Sequence, residues 1–232
     1  MLETINDRGI IMKYRTVFDI IGPVMIGPSS SHTAGAARIG RVARTLLGKQ
    51  PKWVEISYYG SFAKTYKGHG TDVATVGGLL DFDTFDQRIK HSLEIAKELG
   101  VSITIQEEDA VPDHPNTAKI RLGTNDKDAL ELVGISIGGG KIEIVELNGF
   151  LLRLSGNHPA ILVVHNDRYG VIASVLNVLA KHEINIGHME VSRKEKGKDA
   201  LMVIEVDQNV DEHLLGEVSS LPYISKVTKI HD

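Results

Sequence analysis

Two short segments combine residue types that could carry acid–base chemistry. Residues 27–33 read GPSSSHT, and residues 68–72 read GHGTD. Neutral imidazole can accept a proton at pH 7, because the unperturbed pKa of histidine is about 6.5. Each segment precedes a predicted helix, and the dipole at a helix start disfavours a protonated ring. We therefore identify His32 and His69 as candidate proton acceptors.

The hydroxyl groups of the same segments could bind the carboxylate or hydroxyl of a small substrate. Three consecutive serines with free backbone N–H groups at a helix start form a natural anion site. A single serine before a helix is more often a cap, so capping stays open for each of them. Thr71 and Asp72 are equally open between capping the next helix and orienting His69. The candidate substrate-binding residues are Ser29, Ser30, Ser31, Thr33, Gly70 and Thr71.

His32, His69 and Asp72 together could hold a metal ion, but no two histidines have the short spacing of zinc motifs, so we predict no metal site.

Structural roles are expected for most of the other histidines. His114 lies in a turn that could be an exposed loop or part of a substrate rim. Surface positions or local hydrogen bonds are expected for His91, His158, His182, His213 and His231.

The elements around the two segments predict an α+β domain over residues 12–154. Apolar periodicity and turn signals define its elements. The predicted elements are a helix over 33–47, a strand over 53–59, a loop over 67–72, an apolar run to residue 80, a helix over 86–99, and strands within 101–105, 135–144 and 150–154. Arg38, Arg41 and Arg44 form a stripe on the first helix, which either faces solvent or docks an acidic partner surface.

Residues 160–232 read strand, helix, strand, strand, helix, strand. This βαββαβ order predicts a ferredoxin-like domain, in which two helices cover one face of a four-stranded antiparallel sheet. Turn-forming residues at 155–159 predict a linker between the two domains. Residues 1–11 are predicted to be a loose N-terminal extension. The fold class is therefore α+β, with an α+β domain followed by a βαββαβ domain.

Composition excludes several classes of function. The 232 residues carry 26 Lys+Arg against 30 Asp+Glu, so there is no basic field for nucleic acid and we expect no nucleic-acid partner. No apolar run approaches the roughly 18 residues of a membrane span, so we expect no membrane partner and a cytoplasmic protein. The chain has no cysteine. This excludes disulfides, thiolate catalysis, Cys-ligated zinc and any iron–sulfur cluster held by this chain alone.

The segments GPSSSHTAG at 27–35 and GHGTD at 68–72 resemble the beta chain of bacterial iron–sulfur-dependent L-serine dehydratase. The resemblance implies a subunit of an L-serine ammonia-lyase, which converts L-serine to pyruvate and ammonium. It implies that a separate alpha chain carries the [4Fe-4S] cluster as Lewis acid, while this chain contributes active-site loops and regulation. Potassium stays open as a further cofactor.

A purely regulatory subunit is the alternative interpretation. The N-terminal domain also resembles the allosteric substrate-binding domain of some phosphoglycerate dehydrogenases. Such a domain would bind an amino acid without supplying catalytic residues, and the chain would act as a sensor. Calorimetric titration of the isolated chain with L-serine and with potassium would test this interpretation, because tight binding without an alpha chain favours a sensor.

The C-terminal segments HNDRYG at 165–170 and INI at 184–186 resemble an ACT domain, a small amino-acid-sensing module. Ligands of that family sit between paired domains, so the resemblance implies a homodimer contact through this domain. It also implies regulatory ligand residues His165, Asp167 and Asn185. The carboxylate of Asp167 would repel an amino-acid carboxylate, so this residue could instead favour a cation or cap the following helix.

Overall fold

The computed structural model describes residues 24–230, and the predicted extension at 1–11 and His231 lie outside this part of the chain. The helices are α1 (Gly35–Leu47), α2 (Gly60–His69), α3 (Thr71–Leu79), α4 (Ser92–Glu98), α5 (Val171–Lys181) and α6 (Glu212–Ser219). The strands are β1 (Trp53–Tyr59), β2 (Ser102–Glu108), β3 (Asn116–Gly123), β4 (Leu130–Gly138), β5 (Lys141–Leu147), β6 (Phe150–Leu154), β7 (Ala160–Asn166), β8 (Ile186–Arg193), β9 (Asp199–Val206) and β10 (Ile224–Ile230).

The N-terminal part contains a six-stranded sheet in the order β2-β1-β3-β4-β5-β6. Strands β1 and β2 are parallel, and the other neighbours are antiparallel. Helix α1 packs on β3, β4 and β5 because its apolar residues recur at helical spacing, and Ile39, Val42 and Leu46 are buried there. The helix ends at Gly48, as predicted, in a left-handed conformation with φ +76°.

Helices α1 and α3 approach each other closely through small residues. A Cβ added at Gly78 would lie 1.9 Å from the carbonyl oxygen of Ala37, and one added at Gly40 would lie 2.2 Å from that of Thr75. Only glycine fits at such distances, because real Cβ atoms do not approach backbone oxygen so closely. This packing holds α3 against the start of α1, and so positions the two predicted segments side by side.

Two elements of the N-terminal part were not predicted, and the predicted loop at 67–72 is wrong. Residues 60–69 form helix α2, which buries Phe62 and Tyr66 one turn apart, and Gly70 with φ +64° is the single residue that separates α2 from α3. Glycines lie at both ends of α2, and because glycine is a loop signal, this short amphipathic helix was predicted as a loop. Strand β3 was missed as well, although it pairs with both β1 and β4.

The C-terminal part forms a four-stranded antiparallel sheet in the order β10-β7-β9-β8. Helices α5 and α6 cover one face, where Val175, Leu179, Leu214 and Val218 are buried against the sheet. The six elements follow the predicted βαββαβ order, and the ferredoxin-like α+β fold class is confirmed.

The second face of this sheet packs against the N-terminal part. Leu162, Leu201 and Val203 are buried in the same core as helix α1 and strand β6. The predicted linker is held in place as well, because Glu205 accepts hydrogen bonds from both the backbone N–H and the hydroxyl of Ser155. The domain division at 155–159 stays a prediction, and the contacts show that the two parts share one core. Across residues 24–230, no helix combines the length and the apolar character that crossing a bilayer requires.

Candidate functional site

His32 lies in a single π-helical turn, Ser30–Ala34, that leads directly into α1. Ser29 precedes this turn in an extended conformation, and its hydroxyl accepts a hydrogen bond from the backbone N–H of His32 at 3.2 Å. One of the three serines is therefore a helix cap, as the sequence left open. The wider π turn also places the imidazole at the start of the helix rather than within its packed body.

Both ring nitrogens of His32 face hydroxyl groups. Nδ1 lies 3.1 Å from the Ser31 hydroxyl and 3.3 Å from that of Ser29. Nε2 lies 2.9 Å from the hydroxyl of Ser61, which follows β1 at the start of α2. A neutral imidazole needs one donor and one acceptor, and hydroxyls can serve either nitrogen. The imidazole is thus fixed in orientation by groups that suit its neutral form.

His32 also packs against aromatic rings. Its ring centroid lies 4.7 Å from that of His69 and 5.4 Å from that of Phe62, both in edge-to-face arrangements. Burial, together with the charge of His69 as the smaller cause, lowers the pKa of His32 from its usual value of 6.5. The surroundings therefore favour the proton-accepting form of His32 at neutral pH.

Two further contacts join the predicted segments. The hydroxyl of Thr33 donates to the backbone carbonyl of His69 at 3.1 Å. A Cβ added at Gly27, where φ is +125°, would lie 2.3 Å from the methyl group of Thr33. Thr33 is buried, so its side chain connects the two segments in the interior and is not accessible to a substrate. The predicted substrate-binding role of Thr33 stays a prediction that these contacts do not favour.

The hydroxyls of Ser30 and Thr71 have different surroundings. Ser30 is half-buried, and its hydroxyl bonds to no side chain or backbone group in residues 24–230. The Thr71 hydroxyl is fully buried and also lacks a partner in this part of the chain, while the Thr71 carbonyl accepts from Thr75. Gly70 separates the two helices in a left-handed conformation. Among the three serines, Ser30 is therefore the one whose hydroxyl is unpaired within residues 24–230.

His69 ends α2 rather than opening a helix, so the predicted effect of a helix-start dipole on its ring is absent. Its Nδ1 is buried without a hydrogen-bond partner in the described part of the chain. Asp72 accepts from the N–H of Val73 at 2.9 Å and makes no hydrogen bond to His69. Burial raises the pKa of Asp72. Within residues 24–230, His32, His69 and Asp72 do not form a three-ligand metal group.

Ser61 is the residue of the site that sequence reasoning missed. It is 29 positions from His32, and the contact depends on the turn between β1 and α2. Gly60 makes that turn with φ +56°, and a Cβ there would lie 2.6 Å from the carbonyl oxygen of Pro115. A glycine followed by serine directly after a buried strand was the available signal, since such turns often carry binding groups.

The arginine stripe on α1 forms contacts within the chain. Arg38 donates to Asn157 at 2.7 Å and to the carbonyl of Gly156 at 3.0 Å. Arg41 pairs with Asp81 and Asp83 at 3.2 and 3.0 Å. Arg38 is therefore held by contacts within the chain, whereas Arg41 stays partly exposed in its ion pairs, and docking to an acidic partner surface would compete with these contacts.

His114 and His91 make local contacts. The Nδ1 atom of half-buried His114 accepts from the backbone N–H of Asn116 at 3.2 Å, which stabilises the turn before β3. His91 pairs with Glu94 one turn away at 2.9 Å. Local hydrogen bonding was the role predicted for His91, and this contact agrees with it.

The predicted regulatory residues lie at opposite ends of the C-terminal sheet. His165 pairs with Ala200 near the end of β7, whereas Asn185 precedes β8 and bonds to Asp207 beyond the end of β9. Strands β7 and β8 both run antiparallel to β9, so the start of β8 lies beside the start of β7. One copy of the chain does not bring His165 and Asn185 together.

His165 and Asp167 do share one end of the sheet. His165 is 2% exposed, and its Nε2 atom is buried without a partner in the described residues. The carboxylate of Asp167 accepts from the backbone N–H of Gly197 and from Arg193, both at 2.9 Å, and these bonds lower its pKa. Arg193 thus offsets the charge that would repel an amino acid. Asp167 does not cap α5, which begins after Gly170 without a side-chain cap.

Comparisons with known proteins match both parts of the chain. A family model described as serine dehydratase beta chain matches residues 16–100, and one described as ACT domain matches residues 160–223. The chain is 71% identical to the probable L-serine dehydratase beta chain of Bacillus subtilis, over 95% of this chain and 100% of that protein. It is 38% identical to the L-serine dehydratase beta chain of Peptoniphilus asaccharolyticus, over 86% of this chain and 90% of that protein. It is also 27% identical to D-3-phosphoglycerate dehydrogenase of Bacillus subtilis, over 84% of this chain but 37% of that enzyme.

Proposed function

Because this chain belongs to the family of L-serine dehydratase beta chains, we propose that it is the beta subunit of an L-serine ammonia-lyase. The reaction removes the Cα proton and the Cβ hydroxyl of L-serine, which gives an enamine and water, and the enamine then hydrolyses to pyruvate and ammonium. The observation that carries the proposal is the placement of His32, whose two ring nitrogens face Ser31 and Ser61 while its ring contacts His69.

His32 is the proton acceptor for the Cα proton in this proposal. Its lowered pKa keeps the ring neutral at pH 7, as a base requires. Ser29 and Ser31 hold the Nδ1 side, so Nε2 is the atom that receives the proton, on the side where Ser61 lies. Ser61 is a positioning residue that keeps the imidazole aimed until substrate arrives.

Ser30 and the start of α1 bind the substrate carboxylate. The Ser30 hydroxyl is half-buried and unpartnered in the described residues, and it sits at the positive end of a 13-residue helix. The neighbouring serines are already engaged with His32. His69 covers one side of the His32 ring, and the charge of His69 helps to lower the pKa of His32.

An alpha chain supplies the cluster in this proposal, because the present chain does not fit the role. Iron–sulfur clusters are held chiefly by cysteine thiolates, and none of the 232 residues is cysteine. The isolated chain should therefore be colourless, and a purified sample should lack iron–sulfur absorbance. The beta-chain names of its relatives support a partner chain of this kind.

Reconstitution tests the proposed function. We would co-express this chain with an alpha chain from the same genome, reconstitute the complex anaerobically, and measure pyruvate formed from L-serine. The proposal predicts serine-dependent turnover by the complex and none by either chain alone. Full turnover by the alpha chain by itself would contradict a catalytic contribution from His32.

A purely regulatory role is the second candidate, and the similarity to D-3-phosphoglycerate dehydrogenase favours it. In this case the chain would bind an amino acid, and potassium could act as a co-ligand. Calorimetric titration of the isolated chain with L-serine, with and without potassium chloride, measures that binding. Substitution of His32 then separates the candidates, because a sensor would keep the turnover of the assembled complex and change only its dependence on ligand.

A further inference from the structure

A cluster of two histidines and one glutamate lies on the outer helices of the C-terminal domain, away from the proposed active site. His182 follows the end of α5, while His213 and Glu217 lie one turn apart on α6. Within residues 24–230, this is the group of three potential metal ligands whose donor atoms all lie within 4.8 Å of one another. The sequence separation of 31 residues between the histidines explains why no spacing motif revealed it.

Two of the three separations between donor atoms suit a tetrahedral metal site, and all three donor atoms lie within 4.8 Å of one another. One oxygen of Glu217 lies 3.2 Å from His182 Nε2 and 3.6 Å from His213 Nδ1. Zinc bonds to nitrogen and oxygen are roughly 2.0 Å long, so neighbouring ligands of a tetrahedral site lie about 3.3 Å apart. The two imidazole centroids are 5.6 Å apart, so both rings face the same carboxylate.

The nitrogen of His182 is poorly satisfied without an ion. His182 Nε2 is buried, and it makes no aligned hydrogen bond to any group in the described residues, although the Glu217 oxygen is near. A buried polar atom without a partner costs free energy, and a bound ion would remove that cost. His213 is 73% exposed at its side chain, so an ion can enter from that side without rearrangement of the fold.

Glu217 is held ready as a ligand. Lys181 donates to both carboxylate oxygens of Glu217, at 3.0 and 3.1 Å, which fixes the orientation of the carboxylate. One oxygen can stay with Lys181 while the other faces the two histidines. Because Lys181 also bonds to the oxygen that faces the two histidines, its ammonium group competes with a bound ion for that oxygen.

We propose that His182, His213 and Glu217 bind one divalent transition-metal ion of the zinc class, which cross-links α5 to α6. Imidazole and carboxylate together suit zinc or nickel and discriminate against magnesium, which prefers oxygen ligands. Water completes the coordination on the exposed side. The ion ties together the two helices that cover the sheet of the predicted amino-acid-sensing domain.

Zinc titration of the full-length chain, purified without a histidine tag, tests this site. Isothermal titration calorimetry with zinc chloride should show one high-affinity site per chain, and magnesium chloride should show none. His213→Ala should weaken zinc binding at least roughly tenfold, because it removes a direct ligand. The exposed side chain makes this variant safe for folding, which the melting temperature without metal checks. Glu217→Gln should weaken zinc binding in the same way.

Two control variants make the test specific. His91→Ala removes an exposed histidine that also pairs with a glutamate on its own helix, and zinc affinity should stay within about twofold. Lys181→Ala removes the competing ammonium group, and zinc affinity should stay equal or increase. The proposal is overturned if zinc does not bind stoichiometrically, if His213→Ala binds as tightly as the unaltered chain, or if His91→Ala weakens binding as much as His213→Ala.

Discussion

The molecule has two predicted ligand sites, and a single chain brings together the residues of only one of them. Around His32, residues from three separate segments meet, and the imidazole contacts Ser31, Ser61 and His69 directly. In the C-terminal domain, His165 and Asn185 lie at opposite ends of the sheet. One chain brings the residues around His32 together, whereas it keeps His165 and Asn185 apart, so a site made by both would need a second copy. In our proposal, His32 is therefore a catalytic group fixed within one chain, and the predicted regulatory site depends on assembly.

The largest expected effect is loss of the base. His32→Asn keeps a polar side chain in the π turn but cannot accept the Cα proton, so kcat of the reconstituted complex should fall by about 10²–10⁴-fold. The measurement is the initial rate of pyruvate formation at saturating L-serine. His91→Asn is the matched control, and it should leave kcat unchanged. Retained kcat in the His32 variant would place the base elsewhere.

A shared second site should show complementation between copies. Each of His165→Asn and Asn185→Ala should weaken L-serine binding to the isolated chain by about tenfold, since each removes one ligand hydrogen bond. When the two variants are refolded together in equal amounts, random pairing should restore about one quarter of the sites. Calorimetry measures the number of restored sites. No restoration would mean that the two residues do not share a site across a dimer.

Removal of Ser61 should have a moderate effect. Ser61→Ala leaves His32 in place but frees its Nε2 side, so kcat should fall by roughly tenfold while KM for L-serine changes little. Because Ser61 positions the base, the pH profile of kcat should also move, which simple loss of stability would not produce. Ser57→Ala, which removes a hydroxyl that bonds to Glu108, is the control. An unchanged pH profile would mean that Ser61 only packs against His32 and does not position the base.

The smallest expected effect concerns His69. The charge of His69 is the lesser cause of the lowered His32 pKa, after burial. In His69→Gln the acidic limb of the kcat profile should therefore move toward pH 6.5, but not reach it. The measurement is the midpoint of the acidic limb in the reconstituted complex. A midpoint that moves away from 6.5 would contradict the proposed charge effect.

Sequence patterns predicted elements with strong periodicity and failed where contacts were nonlocal. The βαββαβ order, the helix ending at Gly48 and the strand over 53–59 follow from local spacing and turn residues, and the structure confirms them. Helix α2 was missed because glycines at its ends resemble loop signals. Ser61 was missed because its distance to His32 depends on how β1 is followed by α2.

The proposed metal-ligand cluster of His182, His213 and Glu217 was missed for a related reason. His182 and His213 were predicted to have surface positions or local hydrogen bonds, and a ring nitrogen of each lies within 3.6 Å of a Glu217 oxygen. Their combination appears only after α5 and α6 pack side by side on one sheet face. Helix packing is set by the apolar residues beneath, and a sequence of polar residues does not encode it directly.

The protonation state of His32 in the isolated chain tests the central claim most directly. A folded-state pKa below 6.5 means that the unfolded chain binds the proton more readily, so stability from this group is complete above pH 6.5 and falls as the pH drops below it. Nitrogen-15 NMR of the histidine rings, with His32→Asn to assign the signal, measures this pKa. We predict a value below 6.5 that does not depend on chain concentration. A value at or above 6.5 would contradict a neutral base preformed within one chain.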